Sequence, residues 1–508
     1  MKTHVQRIMG LLALILLVAW VSAGVAETTT LTILHINDFH GRILPDADTD
    51  PKKPVAGAAC LAAMIKTERS KNRSGTLLLS AGDMFQGTCE SNHYHGAPVI
   101  KMMNELKFDA MALGNHEFDW GMTELNRLRT SAAFPFLAAN IVNKKGIPLP
   151  GIRSYRIVQR NKVKVAVIGI ATPDTPFTTK PDNVKGLDFG KPDSVLPRLI
   201  KAVRAQGASV VIVLSHLGKD DDSRLASAVP GIDVIVGGHS HTEISKPLKA
   251  EENGTIIVQA GAYGAYLGLL ELTVDSQTGR VTGFTDTSGL KRVSAGPEDK
   301  ADRKTALMIK PYVDKLRPTL DKEVGETRVR LVKPPTRTEE TNLGNLITDA
   351  MREASGAEIA VHNSGGIRTD IPAGPITRRQ ACNAFPYDNN LVTMSLTGAE
   401  LKTLLKQSVN SRQGIMQLSG LTVTYDRNKS ENPIVKAAVN GADIDDKKIY
   451  RVVTNDFVAA GGDGMEVLKG KPYETGDKLR DAFEQYLKKH RPVEPKVERR
   501  IVFVNDGK

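Results

Sequence analysis

Three cysteines in 508 residues, Cys60, Cys89 and Cys382, are too few for a disulfide-built scaffold, and their spacing matches no zinc-binding motif. An odd number cannot pair fully within one chain, so at most one disulfide forms, and the preferred reading is of buried or incidental thiols. Blocks of like charge are missing too. The net charge is +11, yet lysine and arginine are spread along the whole chain. A diffuse positive field favours anionic small molecules. Without a basic helix or an aromatic-basic repeat, the chain does not read as a nucleic-acid binder. The remaining composition, 41% hydrophobic and 25% charged, is that of a globular protein and excludes disordered and fibrous classes. At ~150 residues per domain, the length predicts two or three units.

Residues 1–26 carry a charged start (Lys2, Arg7), an apolar run from Ile8 to Val21, and the small residues Ser22, Ala23, Gly24 and Ala26. That order is a secretory signal peptide, with cleavage after Ala26 or Ala23. The run falls short of the ~20 apolar residues that span a bilayer. No cysteine lies near the cleavage region for lipid attachment, and there is no second candidate span. The mature protein is expected to be exported, periplasmic or secreted, without stable membrane insertion.

Beyond this segment the first half alternates β-like apolar runs with helical stretches, the pattern of an α/β protein. LTILHINDFHG places Asp38 and His40 just past a strand, and TLLLSAGDMFQG places Asp83 past a second. In FDAMALGNHEFDWG the apolar run stops at Gly114, and Asn115, His116, Glu117 and Asp119 follow. SVVIVLSHLG ends in His216 and IDVIVGGHSHT in His239 and His241. A single polar residue after a strand is an ordinary turn or cap. Several strands ending this way are a site, because ligands gather at the carboxyl ends of strands in open α/β sheets. Asp38, His40, Asp83, Asn115, His216, His239 and His241 are therefore expected at one edge. So many mixed oxygen and nitrogen donors suit two ions, and imidazole with carboxylate favours zinc, manganese, iron or cobalt over calcium or magnesium. A pair of such ions ~3.5–4 Å apart can share a carboxylate and activate water for an in-line displacement, so phosphoester hydrolysis is the expected chemistry. The residues alone do not separate the roles of Asn115 and His116.

The motifs DFHG, GDMFQG, GNHEFD, SHLG and GGHSH, in this order, resemble the calcineurin-like metallophosphoesterase domain of the bacterial 5'-nucleotidase and UDP-sugar hydrolase family. The resemblance implies Asp38, His40, Asp83 and His241 around one divalent ion and Asp83, Asn115, His216 and His239 around the other, with Asp83 bridging. Zinc, manganese or cobalt would fill the sites. It also implies that His116 is no ligand but stabilises phosphoryl charge, held by Asp119.

Residues 296–320, GPEDKADRKTALMIKPYVDKLRPTL, place Ile309, Val313, Leu316 and Leu320 on one helical stripe. Pro311 and Pro318 argue against a single straight helix, so a linker helix or pair is expected. The second half opens with a helix near Thr341. A strand then runs into Asn363, the Gly365-Gly366 pair and Arg368, whose planar fork can reach a phosphate. Capping-box patterns at Thr377–Gln380 and Thr397–Glu400 start two further helices. Tyr387 and Asn389 precede a strand, and Phe457 and Asp463 flank a glycine turn. This order resembles the 5'-nucleotidase C-terminal domain. Carried over, the resemblance puts Arg337, Asn363, Gly366 and Arg368 on the pocket wall and Asn389 beside the base. Tyr387 and Phe457 would sandwich the nucleobase, and Asp463 would hold the ribose hydroxyls. Tyr387 stands where the family usually has Phe.

The expected architecture is α/β, α+β overall. A four-layer metallophosphoesterase β-sandwich flanked by helices covers 27–295, a helical linker 296–325, and an α/β substrate-binding domain 326–508, the linker allowing the second domain to swing. The expected function is release of phosphate from nucleoside 5'-monophosphates. UDP-sugar hydrolysis and 2',3'-cyclic nucleotide phosphodiester cleavage are alternatives on the same machinery, and an inactive nucleotide-binding or adhesion protein is the alternative outside it.

Overall fold

The computed structural model describes residues 28–46, 54–294, 301–429 and 431–504. The expected signal peptide and the expected boundary at residue 295 lie outside the described residues. Among those described, no helix is long and apolar enough to cross a membrane.

Two-residue alternation builds the first unit. In β1 (Thr28–Ile36) Leu31 and Ile33 face one way, and Leu34 and Ile36 the other. α1 (Gly57–Lys71) leads to β2 (Thr76–Ser80), where Leu77 and Leu79 oppose Leu78. The short α2 (Cys89–His93) and α3 (Ala97–Glu105) precede β3 (Ala110–Ala112) and β4 (Phe136–Leu137). β5 (Tyr155–Arg160), β6 (Val163–Ile170), α4 (Thr175–Thr178), α5 (Pro192–Ala205), β7 (Val210–Ser215), α6 (Lys219–Ala228) and β8 (Val234–Gly237) follow. The unit closes with β9 (Leu248–Lys249), β10 (Ile256–Gln259), β11 (Tyr266–Asp275), β12 (Val281–Phe284) and β13 (Gly289–Arg292).

A seven-stranded sheet has the order β12-β11-β1-β2-β3-β4 with β13 added on β11, and a six-stranded sheet the order β9-β10-β8-β7-β6-β5. Their facing sides pack as one core, with Leu31, Ile33, Leu77 and Leu79 against Val165, Val167, Ile212 and Leu214. The outer faces are covered by helices: α1 and α3 on the first sheet, and α5 and α6, through Leu196, Ile200 and Leu225, on the second. This is the expected four-layer sandwich. The inner strands β2, β3, β7, β8 and β10 bury both faces, which is why the sequence shows near-continuous apolar runs there, whereas β9, β12 and β13 at the margins are exposed or half-buried.

α7 (Arg303–Leu320) is one helix running through both prolines, so the expected linker helix or pair is a single element. Pro311 and Pro318 lie on its exposed side, where the carbonyls they leave unbonded can meet water, while Ile309, Val313 and Leu320 are buried. Ile309 and Val313 belong to the core of the first unit.

The second unit is built on a five-stranded sheet. After α8 (Asn342–Ser355), capped by the Thr341 side chain, come β14 (Ile359–Asn363), α9 (Arg378–Ala384), β15 (Asn390–Thr397), α10 (Gly398–Asn410) and β16 (Met416–Ser419). β17 (Ile449–Asn455), α11 (Asp456–Ala459), β18 (Glu474–Lys478) and α12 (Leu479–Lys489) complete it. The strand order is β16-β14-β17-β15-β18. α8 and α12 cover one face and α10 the other. Both expected capping boxes, Thr377–Gln380 and Thr397–Glu400, are present.

The expectation of unpaired thiols is wrong for two of the three cysteines. Cys89, at the start of α2, is bonded to Cys382 in α9, 293 positions away, and only Cys60 is free. The bridge joins the first unit to the second and packs with Leu316 and Leu320 from the last turns of α7. Asn92 Nδ2 donates to the Pro386 carbonyl at 2.6 Å, and Arg379 pairs with Glu90 beside it. Non-reducing denaturation followed by thiol titration is expected to find one reactive thiol per chain. Cys382→Ser should lower stability by about 2–5 kcal/mol. A reductant should lower the melting midpoint of the native protein toward that of the variant and leave that of the variant unchanged.

Candidate functional site

The strand ends converge as the sequence predicts. Donor atoms of Asp38, His40 and His241 lie within 4.8 Å of one another, as do those of Asp83, His216 and His239. His40 Nε2 is 3.1 Å from His241 Nε2, which is 3.4 Å from Asp38 Oδ1. His216 Nε2 is 3.1 Å from Asp83 Oδ2 and 4.0 Å from Asp38 Oδ1, so the two groups adjoin. Asp38, His40, Asp83, His239 and His241 all have left-handed backbone, with φ between 49° and 73°. Such a conformation costs ~1–3 kcal/mol per residue and persists only where neighbours enforce it. Here Asp38 N donates to Gly82 O at 2.9 Å, His40 N to Asp83 O at 3.0 Å, and Tyr263 N to Asp38 O at 2.7 Å.

The donor set fits two divalent ions. His40 Nδ1–H donates to the Gln86 carbonyl at 2.9 Å and His216 Nδ1–H to the Ala81 carbonyl at 2.7 Å, which leaves a lone pair on each Nε2 facing inward. His216 Nε2 and Asn115 Oδ1 are buried without a hydrogen-bond partner, an arrangement that is costly unless a cation completes it. Burial pushes His239 down to about 3 and His40 well below its ordinary value, so both rings are neutral, as ligands must be. Burial works to raise the Asp83 carboxyl, but the His216 and His116 rings hold it well below the usual carboxylate range. Gly114 has no room for a side chain: a Cβ there would lie 2.2 Å from Asp83 Oδ1 and 2.7 Å from His216 Nε2.

His116 points into the same space without joining either donor group. Its Nδ1 is 2.7 Å from Asp119 Oδ2, and its ring centroid is 5.3 Å from that of His40 and 5.9 Å from that of Tyr387. Three positioning residues went unassigned in the sequence. Glu117 accepts backbone N–H bonds from Asp83, Met84 and Gly114 at 2.7–2.8 Å, tying the β2 and β3 loops together. Asn37 Nδ2 donates to Asp38 Oδ2 at 2.7 Å, and its Oδ1 accepts from Ala260 N at 2.8 Å. Gln259 holds the GGHSHT loop through Gly238 O at 3.1 Å and Thr242 N at 2.5 Å. Glu117 stands inside a recognisable motif; Asn37 and Gln259 offer only proximity in the fold.

One cavity of about 870 Å³ lies between the units. Asp83, Asn115, His116, Asp119, His239 and His241 line its first-unit wall, while Asp38, His40 and His216 sit behind, 0–1% exposed. All eight residues expected from the second half, Arg337, Asn363, Gly366, Arg368, Tyr387, Asn389, Phe457 and Asp463, line the opposite wall. Arg368 is 7% exposed, and its Nη2 donates to His40 Nε2 at 3.2 Å, across 328 positions of sequence. Asn363 Nδ2 donates to Asp463 Oδ2 at 2.8 Å, and burial pushes the Asp463 carboxyl up to about 6. The Phe457 ring lies where a Cβ on Gly462 would approach it to 2.5 Å, so only glycine fits beneath it. Gly114→Ala is expected to cost the Asp83 group its ion while the other ion stays, so elemental analysis should find about one metal per chain, against two in the native protein.

Residues 31–243 match the family profile described as calcineurin-like phosphoesterase, and residues 323–470 match the 5'-nucleotidase C-terminal domain. The chain is 33% identical over 531 residues to a snake venom 5'-nucleotidase from Naja atra, covering 93% of this chain and 98% of the relative. It is 33% identical over 524 residues to the trifunctional nucleotide phosphoesterase protein YfkN of Bacillus subtilis, covering 93% of this chain but only 35% of that longer protein. The crystal structure of a 5'-nucleotidase precursor from Thermus thermophilus superposes with a TM-score of 0.86 at 33% identity, over 94% of this chain and all of the other. With both domain profiles matched in order and full-length relatives above 30% identity, the chain belongs to the 5'-nucleotidase family of calcineurin-like metallophosphoesterases.

Proposed function

We propose that this protein is an exported 5'-nucleotidase that releases phosphate from nucleoside 5'-monophosphates and accepts nucleotide esters such as UDP-sugars. The observation that carries the reading is the Arg368 guanidinium. It comes from the wall that bears Tyr387, Phe457 and Asp463 and reaches the His40 donor atom at 3.2 Å. A substrate anchored by its nucleoside on the second unit is thereby delivered, phosphate first, to the metal donors of the first.

When bound, two divalent ions polarise the phosphoryl group and lower the pKa of an attacking water. Asp38, His40 and His241 would hold one, Asn115, His216 and His239 the other, with Asp83 shared. The remaining work belongs to the chain. Burial works against a charge on His116, but Asp119 and Asp83 raise its pKa, so that the protonated ring, fixed to Asp119 through Nδ1–H, donates Nε2–H to a phosphoryl oxygen, and Arg368 adds a second donor where negative charge develops. The Tyr387 and Phe457 rings clasp the base, a mode that discriminates little among bases. Asn363 orients the Asp463 carboxylate toward the ribose hydroxyls. The added hydroxyl of Tyr387 changes which bases are preferred.

Phosphate release from AMP, UMP, UDP-glucose, 2',3'-cyclic AMP and an aryl phosphate, with zinc, manganese and cobalt in turn, tests the reading. AMP turnover should stop with a chelator and return with metal; turnover indifferent to metal stripping would refute it. His116→Ala is expected to lower kcat by about 10²–10⁴-fold with both ions retained. Phe457→Ala should raise KM for AMP far more than for the aryl phosphate, and equal increases would remove the stacking role.

A further inference from the structure

The stretch from Thr178, the last residue of α4, to Asn183 in the first unit contributes no metal donor, yet it touches both halves of the reaction. On one side it meets the phosphoryl machinery. Asn115 Nδ2 donates to Thr178 O at 3.2 Å, the Thr179 hydroxyl donates to Asp119 Oδ1 at 2.7 Å, and Asn183 Nδ2 donates to Asp119 O at 2.7 Å. On the other side it meets the nucleoside wall. Lys180 Nζ donates to Asp456 Oδ2 at 3.2 Å, and Asp456 Oδ1 accepts from Asn389 Nδ2 at 2.6 Å. α4 also packs against the turn Gly462–Gly464 that carries Asp463.

We propose that this loop couples nucleoside recognition to the phosphoryl site, with Thr179 and Lys180 as positioning residues; the proposal rests on the nucleotide phosphohydrolase reading of the same cavity. Thr179 is 2% exposed. It occupies the Asp119 oxygen that His116 leaves free, so both carboxylate oxygens are committed and the imidazole can point in only one direction. Lys180 is half exposed, and an ion pair so placed adds little stability. Its value is register, because the bond closes only when the second unit presents Asp456 to the loop. Asp456 in turn fixes the Asn389 amide, whose NH2 group it accepts from, leaving Asn389 Oδ1 to face the base. A nucleotide that seats against Asn389 and Phe457 therefore steadies Asp456, and Lys180 and Thr179 carry that order to Asp119. A substrate without a nucleoside engages only the first-unit side of the loop.

Steady-state kinetics with AMP and an aryl phosphate, alongside metal analysis and melting curves, test this. Thr179→Val is expected to lower kcat about 10- to 100-fold for both substrates, with KM and the two ions retained, and Thr179→Ser should restore most of the loss. Lys180→Ala should lower kcat/KM for AMP about tenfold more than for the aryl phosphate, with Lys180→Arg recovering it. If native protein turns over AMP and Lys180→Ala affects both substrates equally, the coupling is wrong and the nucleotide reading stands. If native protein turns over the aryl phosphate but not AMP, the nucleotide reading fails and the coupling with it. A Thr179→Val protein with unaltered kcat, or a Thr179→Ser protein as impaired as the valine variant, would also overturn the proposal.

Discussion

The Asp83 carboxylate is the fixed point of this molecule. It lies 3.1 Å from His216 and accepts the backbone N–H of His116 at 2.9 Å, so strands from both sheets and the β3 loop are referred to one group. Its own backbone is left-handed and is pinned by Glu117, which takes the N–H groups of Asp83, Met84 and Gly114 into a single buried carboxylate. Two negative groups this close in a dry environment repel, and burial together with Asp83 raises Glu117 to about 7. The sandwich holds them there because the facing apolar sides of the sheets fix the strands from which these loops spring. Divalent cations are what this concentration of anionic and lone-pair donors requires.

The second unit is arranged around the same point. It supplies no metal donor but brings a guanidinium to the donor set and aromatic rings to the far wall. Neither wall alone forms a site. The Cys89–Cys382 bridge and the Glu90–Arg379 pair, beside the last turns of α7, set the distance between them. The length of the reactive cavity is thus decided on its own wall, which Cys89, Cys382, Leu316 and Leu320 line.

The first-unit site was legible in the sequence because it obeys a local rule: a buried strand of two-residue period, a small residue, then a donor. Each donor could be read from its own few neighbours, and the structure places all of them together. The second-unit residues needed the family resemblance, since a glycine pair followed by an arginine, or an aromatic before a strand, fits many turns. What stayed hidden was whatever depends on distant packing. Cys89 and Cys382 lie in unremarkable helices and meet only because α2 and α9 both abut α7. Whether the α7 stretch forms one helix or a pair stayed open for the same reason: Pro311 and Pro318 face water while Ile309 and Val313 are anchored in a core, which only the packing shows. Thr179 and Lys180 resemble any polar loop until Asp119 and Asp456 are seen on either side.

The left-handed backbone at Asp38, His40, Asp83, His239 and His241 carries a consequence for how such centres arise. Aspartate, asparagine and histidine are the side chains that most readily tolerate this conformation after glycine, and they are also hard or borderline Lewis bases. Steric tolerance and affinity for a cation therefore select the same small alphabet at these turns. Random drift confined to residues the turn can accept would keep revisiting usable donors, so a lost ligand could be regained by a single codon change without remodelling the loop.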